Sequence, residues 1–407
     1  MATRTEALRR TFKALENRNY RWLWLGRLGT SGTFHMGNVV QGWLVYHLTG
    51  SAFALGWVGA GWSVAMLLLG LYGGAMADRV DKRRLIFWMR AGMLLTTLGL
   101  GLLAARDAMR VWHLALGSFA NGVFSAFLMP AQQSIISDLV ERDTLMNALS
   151  LDALGMGLMG ILASSLAGIL IDVVGPGAVY FLMVGMYAFS ALTVTRLPRP
   201  ASVSVGGRSA WGDLVGGARY LGRQPLLTLL LTLEMVRVLL AMPYSSMLPA
   251  FAQDDLGLDA AGLGLLQSAV GFGGLVGSLV ASHLGNLKRK GRLLSLSSAF
   301  VGLSLILLVT VRSLPSVLVA LAIVGGLGNL YMVFSGTLLL KHTDLAYRGR
   351  IVSMSMMAWG LMPLGTVPSG AIADLVGVPL VVSVQGALLM IVYTLVAWRR
   401  PALNDME

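Results

Sequence analysis

The sequence predicts an all-α membrane protein of about twelve transmembrane helices arranged as two pseudo-symmetric six-helix bundles. Three observations carry that prediction. Only 12% of the 407 residues are charged, while 56% are apolar and another 50 are glycine. Soluble chains run at about 25% charged and about 45–50% apolar plus glycine. Apolar runs of about 20 residues, each enough to cross roughly 30 Å of hydrocarbon, recur about twelve times. Finally, the second half of the chain repeats features of the first.

Taken in order, the runs lie near 22–46, 52–77, 85–104, 112–137, 147–171 and 177–196, then 226–250, 259–283, 293–311, 315–340, 351–373 and 379–398. They are apolar throughout, which reads as membrane helix; a barrel would alternate in ten-residue segments. The first run is too long for a cleavable leader and no A-x-A site follows it, so it is expected to act as its own insertion signal. The division expected is an amphipathic arm (1–21), a first bundle (22–197), a linker (198–225), a second bundle (226–398) and a tail (399–407). In the arm, Leu8, Phe12 and Leu15 stand among Arg9, Arg10 and Lys13. In the linker, Trp211, Leu214, Ala218 and Leu221 recur at helical spacing, which predicts a short amphipathic helix on the membrane surface.

Charge placement predicts orientation. The arm, every second loop and the tail hold 25 of the 31 Lys and Arg residues, while the alternate loops hold only Arg106, Arg110 and Arg312. That bias puts both termini in the cytoplasm. It also accounts for the net charge of +12 without a nucleic-acid partner, because the basic residues sit in loops and not on one binding face. Zero cysteines exclude thiolate chemistry and Cys-ligated metals, and five scattered histidines form no metal tract. No G-x-x-x-x-G-K-[ST] loop is present, so no direct nucleotide coupling and no cofactor are expected. A membrane enzyme would need a convergent catalytic set, and the sequence offers none.

The repeat has an offset of about 202 residues. Gly168, Asp172 and Gly175 in LAGILIDVVG match Gly370, Asp374 and Gly377 in SGAIADLVG. ADRVDKRRLI near 77–86 has a weaker partner in GNLKRKGRLL near 285–294, where Asn286 replaces the acid. Parallel repeats of six spans are a transporter architecture with the substrate site at the repeat interface.

WLVYHLTGSAFALGWVG (43–59), GGAMADRVDKRRL (73–85) and MPAQQSIISDLVERDTLMNALSL (129–151) resemble a major facilitator superfamily transporter. The branch they resemble contains enterobactin-type siderophore exporters and macrolide-type efflux proteins. The resemblance covers nearly the whole chain. Its most specific piece is the loop after the second span, where Gly74, Asp78, Arg79, Arg83 and Arg84 fill the family pattern and Asp81 stands where glycine is commonest. The resemblance implies that the acid, Asp78, pairs with the N-terminus of helix eleven and latches the outward-facing state. An anion at a helix N-terminus is stabilised by about 0.3–1 kcal/mol. The plainer reading is a charged turn that only sets topology. Two antiporter features of the family are altered: Ala163 and Ser164 stand at its Gly-Pro pair, and Ser118 at its helix-four arginine.

In that fold helices one, four, seven and ten line a central cavity. Polar stripes fall on them: Arg27, Ser31, His35 and Asn38; Ser118, Asn121, Ser125 and Gln132; Glu234, Arg237 and Tyr244; and, more thinly, Asn329 and Ser335. A charge in hydrocarbon costs at least ~2.5–3.5 kcal/mol, so Arg27, Glu234 and Arg237 are expected to face water or one another. Glu234 reads as the carboxylate well inside an apolar span, with Asp152, Asp172 and Asp374 towards helix ends. It is poised either to exchange a coupling proton beside Arg237 and Arg27 or to neutralise them permanently. The Asn and Gln residues also fit as interhelical glue, and His35 as a satisfied packing residue. The resulting expectation is a secondary transporter, monomeric in the bilayer, exporting a small amphipathic substrate, with H+ as coupling ion. Solute uptake or lipid transport by the same fold is the alternative.

Overall fold

The computed structural model describes residues 12–77, 79–198, 210–284, 289–311, 313–345 and 347–400, together with Leu403 and Met406. Its first six spans are Arg18–Thr49, Ala52–Ala77, Lys82–Ala105, Val111–Leu139, Arg142–Val174 and Pro176–Thr195. Span seven is Pro225–Ala241 continued by Pro243–Ala250 and a π-helical turn, Phe251–Asp255. Spans eight to ten are Ala260–Leu284, Lys290–Thr310 and Leu314–His342. Span eleven is Arg348–Gly360 continued by Met362–Val376, and span twelve is Val378–Arg399. Among the described residues, eleven spans are long and apolar enough to cross a membrane. Span one is long enough, but Arg27, His35 and Asn38 lower its apolar content.

The spans extend beyond the apolar runs because helix and hydrocarbon boundaries are different things. Lys82, Arg83 and Arg84 are helical although charged, and Asp81 starts their helix by accepting from the Arg83 and Arg84 amides at 2.9 and 3.3 Å. This gives the departure at Asp81 a local role, since an N-cap carboxylate satisfies amides that have no partner in the first turn. Spans seven and eleven break where Pro243 and Pro363 withdraw a backbone donor. The two interrupted helices meet: a Cβ on Gly365 would stand 2.6 Å from the Leu239 carbonyl oxygen.

Each bundle is held by close small-residue crossings. Gly73 packs on the backbone of Ala126 between spans two and four, and Gly273 and Gly277 pack on Ala322 and Gly326 between spans eight and ten. Where apolar packing has no water to escape from, such close approach is what holds helices together. The first bundle also contains Arg90, wholly buried, whose Nη1 donates to the Ser190 carbonyl of span six at 2.6 Å. Its Nε and Nη2 have no partner among the described residues.

Both ends of the chain pack on the same side, called here the terminal side. The Ala14 amide donates to Asn147 Oδ1 at 2.9 Å, and Tyr20 donates to the Ala148 carbonyl at 2.7 Å. Leu403 and Met406 are buried beneath Gly291 at the start of span nine. The linker forms a helix, Ala210–Leu221. It rests on protein: Gly216 and Gly217 lie under Arg350 and Met354 of span eleven, and Tyr220 stacks on Tyr347 at 4.2 Å.

Candidate functional site

Charge inside the bundles is arranged differently from the sequence expectation. Arg27 does not reach across to Glu234. Its Nε and Nη2 engage both oxygens of Asp152 on span five, and Nη1 lies 3.4 Å from Gln132 Oε1 on span four. The side chains of the pair are only 16% and 12% exposed. Asp152 is therefore no helix-end residue. Span five begins at Arg142, ten residues earlier, which puts Asp152 about 15 Å along its helix.

In the second bundle, Glu234 turns both oxygens to Ser355 Oγ of span eleven, 2.8 Å from each. Arg237, buried, goes elsewhere: its guanidinium lies over the Tyr331 ring at 4.7 Å from the centroid, a cation–π contact. Tyr393 donates to the Leu233 carbonyl at 2.8 Å, and its hydroxyl oxygen lies 3.2 Å from that of Tyr331. Thus the anticipated Glu234–Arg237 pairing is replaced by two separate contacts: the arginine takes an aromatic face, and its buried Nε has no hydrogen-bond partner among the described residues. Sequence reasoning marks all three charges but pairs none of them with Asp152, Ser355 or Tyr331. The signal for Asp152 is the basic residue inside span one, which needs a carboxylate somewhere.

The other polar candidates divide. His35 is half-buried where spans five and eight cross: its Cε1 would lie 3.3 Å from a Cβ on Gly160, and Phe34 meets it edge-on at 5.5 Å. Asn38 is exposed. Asn121 donates to the Gly117 carbonyl of its own helix at 3.0 Å. Asn329 approaches Gly274 of span eight, and Tyr244 is buried in the Pro243–Ala250 segment.

At the loop after span two, Asp78 lies outside the described residues. Gly74 has open space around it, and Arg79 is exposed in the turn. Arg83 donates to the Thr195 carbonyl at the end of span six, Lys82 pairs with Asp138 at 2.7 Å, and Arg84 stays exposed 3.8 Å from Asp81. Those three contacts all fall within the first bundle.

The two bundles meet on the far side. Spans five and eight touch from Gly168, against Ala260 and Ala261, through Gly264 and Ser268 to Gly271 on Gly160 and Leu275 on Gly157. Ser165 and Ser268 share a hydrogen bond of 2.7 Å. Spans two and eleven touch from Gly370, against Ala52, through Gly56 on Thr366 to Gly360 on Leu67. Tyr46 donates to Asp254 between spans one and seven. Gly70, Gly74 and Gly349, at the terminal ends of spans two and eleven, have nothing within 4 Å of a Cβ. The structure is the state closed on the far side. Among the described residues no cluster of three or more His, Cys, Asp or Glu could hold a metal.

This architecture is shared. Over 92% of this chain and 99% of the other, the fold matches the nucleoside transporter NupG with a TM-score of 0.78 at 12% identity. A bacterial homologue of the lysosomal transporter Spinster matches with a TM-score of 0.69 at 14% identity, covering 95% of this chain and 98% of that one. By sequence, the chain is 27% identical to the enterobactin exporter EntS of Shigella flexneri over 289 residues, 70% of this chain and 68% of that protein. It is 22% identical to the staphyloferrin A transporter of Staphylococcus aureus over 376 residues, 89% of each. It is 26% identical to the multidrug efflux pump Tap of Mycolicibacterium fortuitum over 353 residues, 82% and 84% of the two. The family model described as transmembrane secretion effector matches residues 9–407, so a twelve-span chain with paired bundles and buried charge in each belongs to that family of major facilitator transporters.

Proposed function

We propose that the protein exports small amphipathic molecules of the drug or siderophore class from a bacterial cytoplasm, by alternating access and at the expense of a proton gradient. It acts as a monomer with both termini cytoplasmic and has no enzymatic step. The observation that carries the export reading is the match of residues 9–407 to a secretion family, with an enterobactin exporter and a multidrug efflux pump among the similar proteins. Deleting the gene is expected to sensitise cells to, or make them retain, the exported compound; an unchanged profile across siderophores and amphipathic drugs overturns this reading.

Coupling is supported by Glu234. It is a half-buried carboxylate held by one neutral hydroxyl, with its neighbouring arginine committed to an aromatic ring. Protonation there costs no ion pair, whereas protonating Asp152 would strand Arg27. In reconstituted vesicles, Glu234→Gln is expected to abolish pH-gradient-driven transport while downhill exchange persists. Gradient-driven transport at wild-type rate in that variant removes Glu234 from the coupling step.

Orientation has its own check. A reporter inserted within 200–222 is expected to read cytoplasmic, as is one fused after Glu407, and one within 252–258 periplasmic. A periplasmic C-terminus overturns the helix count.

A further inference from the structure

The repeat-related aspartates do something on the far side that the sequence comparison alone does not assign. Asp172, near the end of span five, accepts from the first two amides of span eight: Ala260 at 3.2 Å and Ala261 at 2.7 Å. Asp374, near the end of span eleven, accepts from the first two amides of span two: Ala52 at 2.6 Å and Phe53 at 3.2 Å. It also accepts from Ser51 Oγ at 2.6 Å. Each half therefore lends one carboxylate to the other half and offers one helix start in return. The surrounding parts repeat as well. Gly168 and Gly370, one turn before each aspartate, let the backbones of Ala260 and Ala52 approach, since a Cβ would stand 2.3 and 2.4 Å from those carbonyl oxygens. Gly175 and Gly377, at φ +97° and +87°, end the two helices just beyond.

The placement is unfavourable for the helices that carry the aspartates. A negative charge near a helix C-terminus opposes the local dipole, whereas at an N-terminus it is stabilised and satisfies amides that lack partners. Asp172 and Asp374 thus gain only when the opposite bundle is present at the far side. Helix-end capping within one's own bundle is the plainer role for such a residue, and neither aspartate performs it.

We propose that Asp172 and Asp374 are twin latches that hold the two bundles shut on the far side, and that both release each time the transporter opens there. They set the population of the far-closed state, and by their two-fold relation they open in one step and not one at a time. This rests on the alternating-access reading, but its test needs no substrate. The sequence contains no cysteine, so a single Ser268→Cys reports cleanly: Ser268 is 5% exposed here, sealed against span five. The rate at which purified full-length protein reacts with a maleimide then follows the population of the far-open state.

Asp172→Asn and Asp374→Asn are each expected to accelerate labelling by about two- to fivefold, the range that loss of one helix-terminus charge interaction allows. The double variant is expected to reach at least the product of the two, about tenfold, because the latches span one interface. A Ser165→Cys/Ser268→Cys disulfide, bridging hydroxyls now 2.7 Å apart, is expected to suppress labelling at position 268 and to form more slowly in the double Asn variant. Thermal unfolding is measured in parallel. Unchanged labelling in both single variants, or labelling that rises only in step with a lowered Tm, overturns the latch. If labelling shifts as expected while no compound moves in vesicles, the latch stands and the transport reading fails.

Discussion

Removing either member of the Arg27–Asp152 pair alone is expected to abolish transport and to destabilise the first bundle by about 3 kcal/mol. The pair is bidentate, nearly buried and reinforced by Gln132. Arg27→Ala would leave a carboxylate, and Asp152→Ala a guanidinium, without a partner in a region of low dielectric. Removing both charges is a different experiment. A well-packed apolar replacement of a buried pair is often neutral for stability, so Arg27→Met/Asp152→Leu is expected to recover most of the lost Tm in detergent. Its transport rate then decides what the pair is for. Restored stability with transport still absent makes the pair part of substrate handling; transport restored along with stability makes it purely structural.

Gly271→Val is expected to reduce transport by more than about tenfold while leaving each bundle folded. Spans five and eight touch there through backbone alone: a Cβ on Gly271 would lie 2.8 Å from the Gly160 carbonyl carbon. Overpacking at such a contact costs about 1–3 kcal/mol. The strain falls at the crossing between bundles and not inside one, so it acts against the far-closed state. Transport assays on this variant and on Gly59→Val check the claim. Gly59 has nothing within 4 Å of a Cβ and should tolerate the change. Equal activity in the two variants would mean that the far-side contact is not used in the cycle.

The helices are legible in the sequence because apolar runs of membrane length have few other uses. The run at 52–77 coincides with its helix at both ends. Span five reads too short because its first turns, from Arg142 to Asn147, are polar and look like loop; the same error moves Asp152 to a helix end and hides its pairing with Arg27. The breaks at Pro243 and Pro363 are illegible to hydropathy, which averages over a proline without seeing the lost hydrogen bond. Arg27, Glu234 and Arg237 are conspicuous in sequence because each is costly in lipid. Their partners are set by which helices adjoin, and an aromatic ring answering Arg237 is invisible to a search for opposite charges. The aspartate repeat is visible at once, but its meaning is not, because each copy is completed by the opposite half.

The buried arginine of span three constrains how the protein is made. Arg90 donates to a carbonyl 100 residues downstream in span six, and its guanidinium faces Gly26 of span one. A ribosome adding about 5–20 residues per second reaches Ser190 some 5–20 s after Arg90. During that interval span three has to enter the bilayer with its charge exposed to lipid or reaching for the headgroups, at a cost of roughly 2.5–3.5 kcal/mol met by the apolar remainder of the helix. Only the arrival of span six closes a protein wall around it. Chains truncated before residue 190 should accordingly be held at the insertion machinery or degraded, whereas a chain ending after Thr195 carries all the parts its first bundle requires.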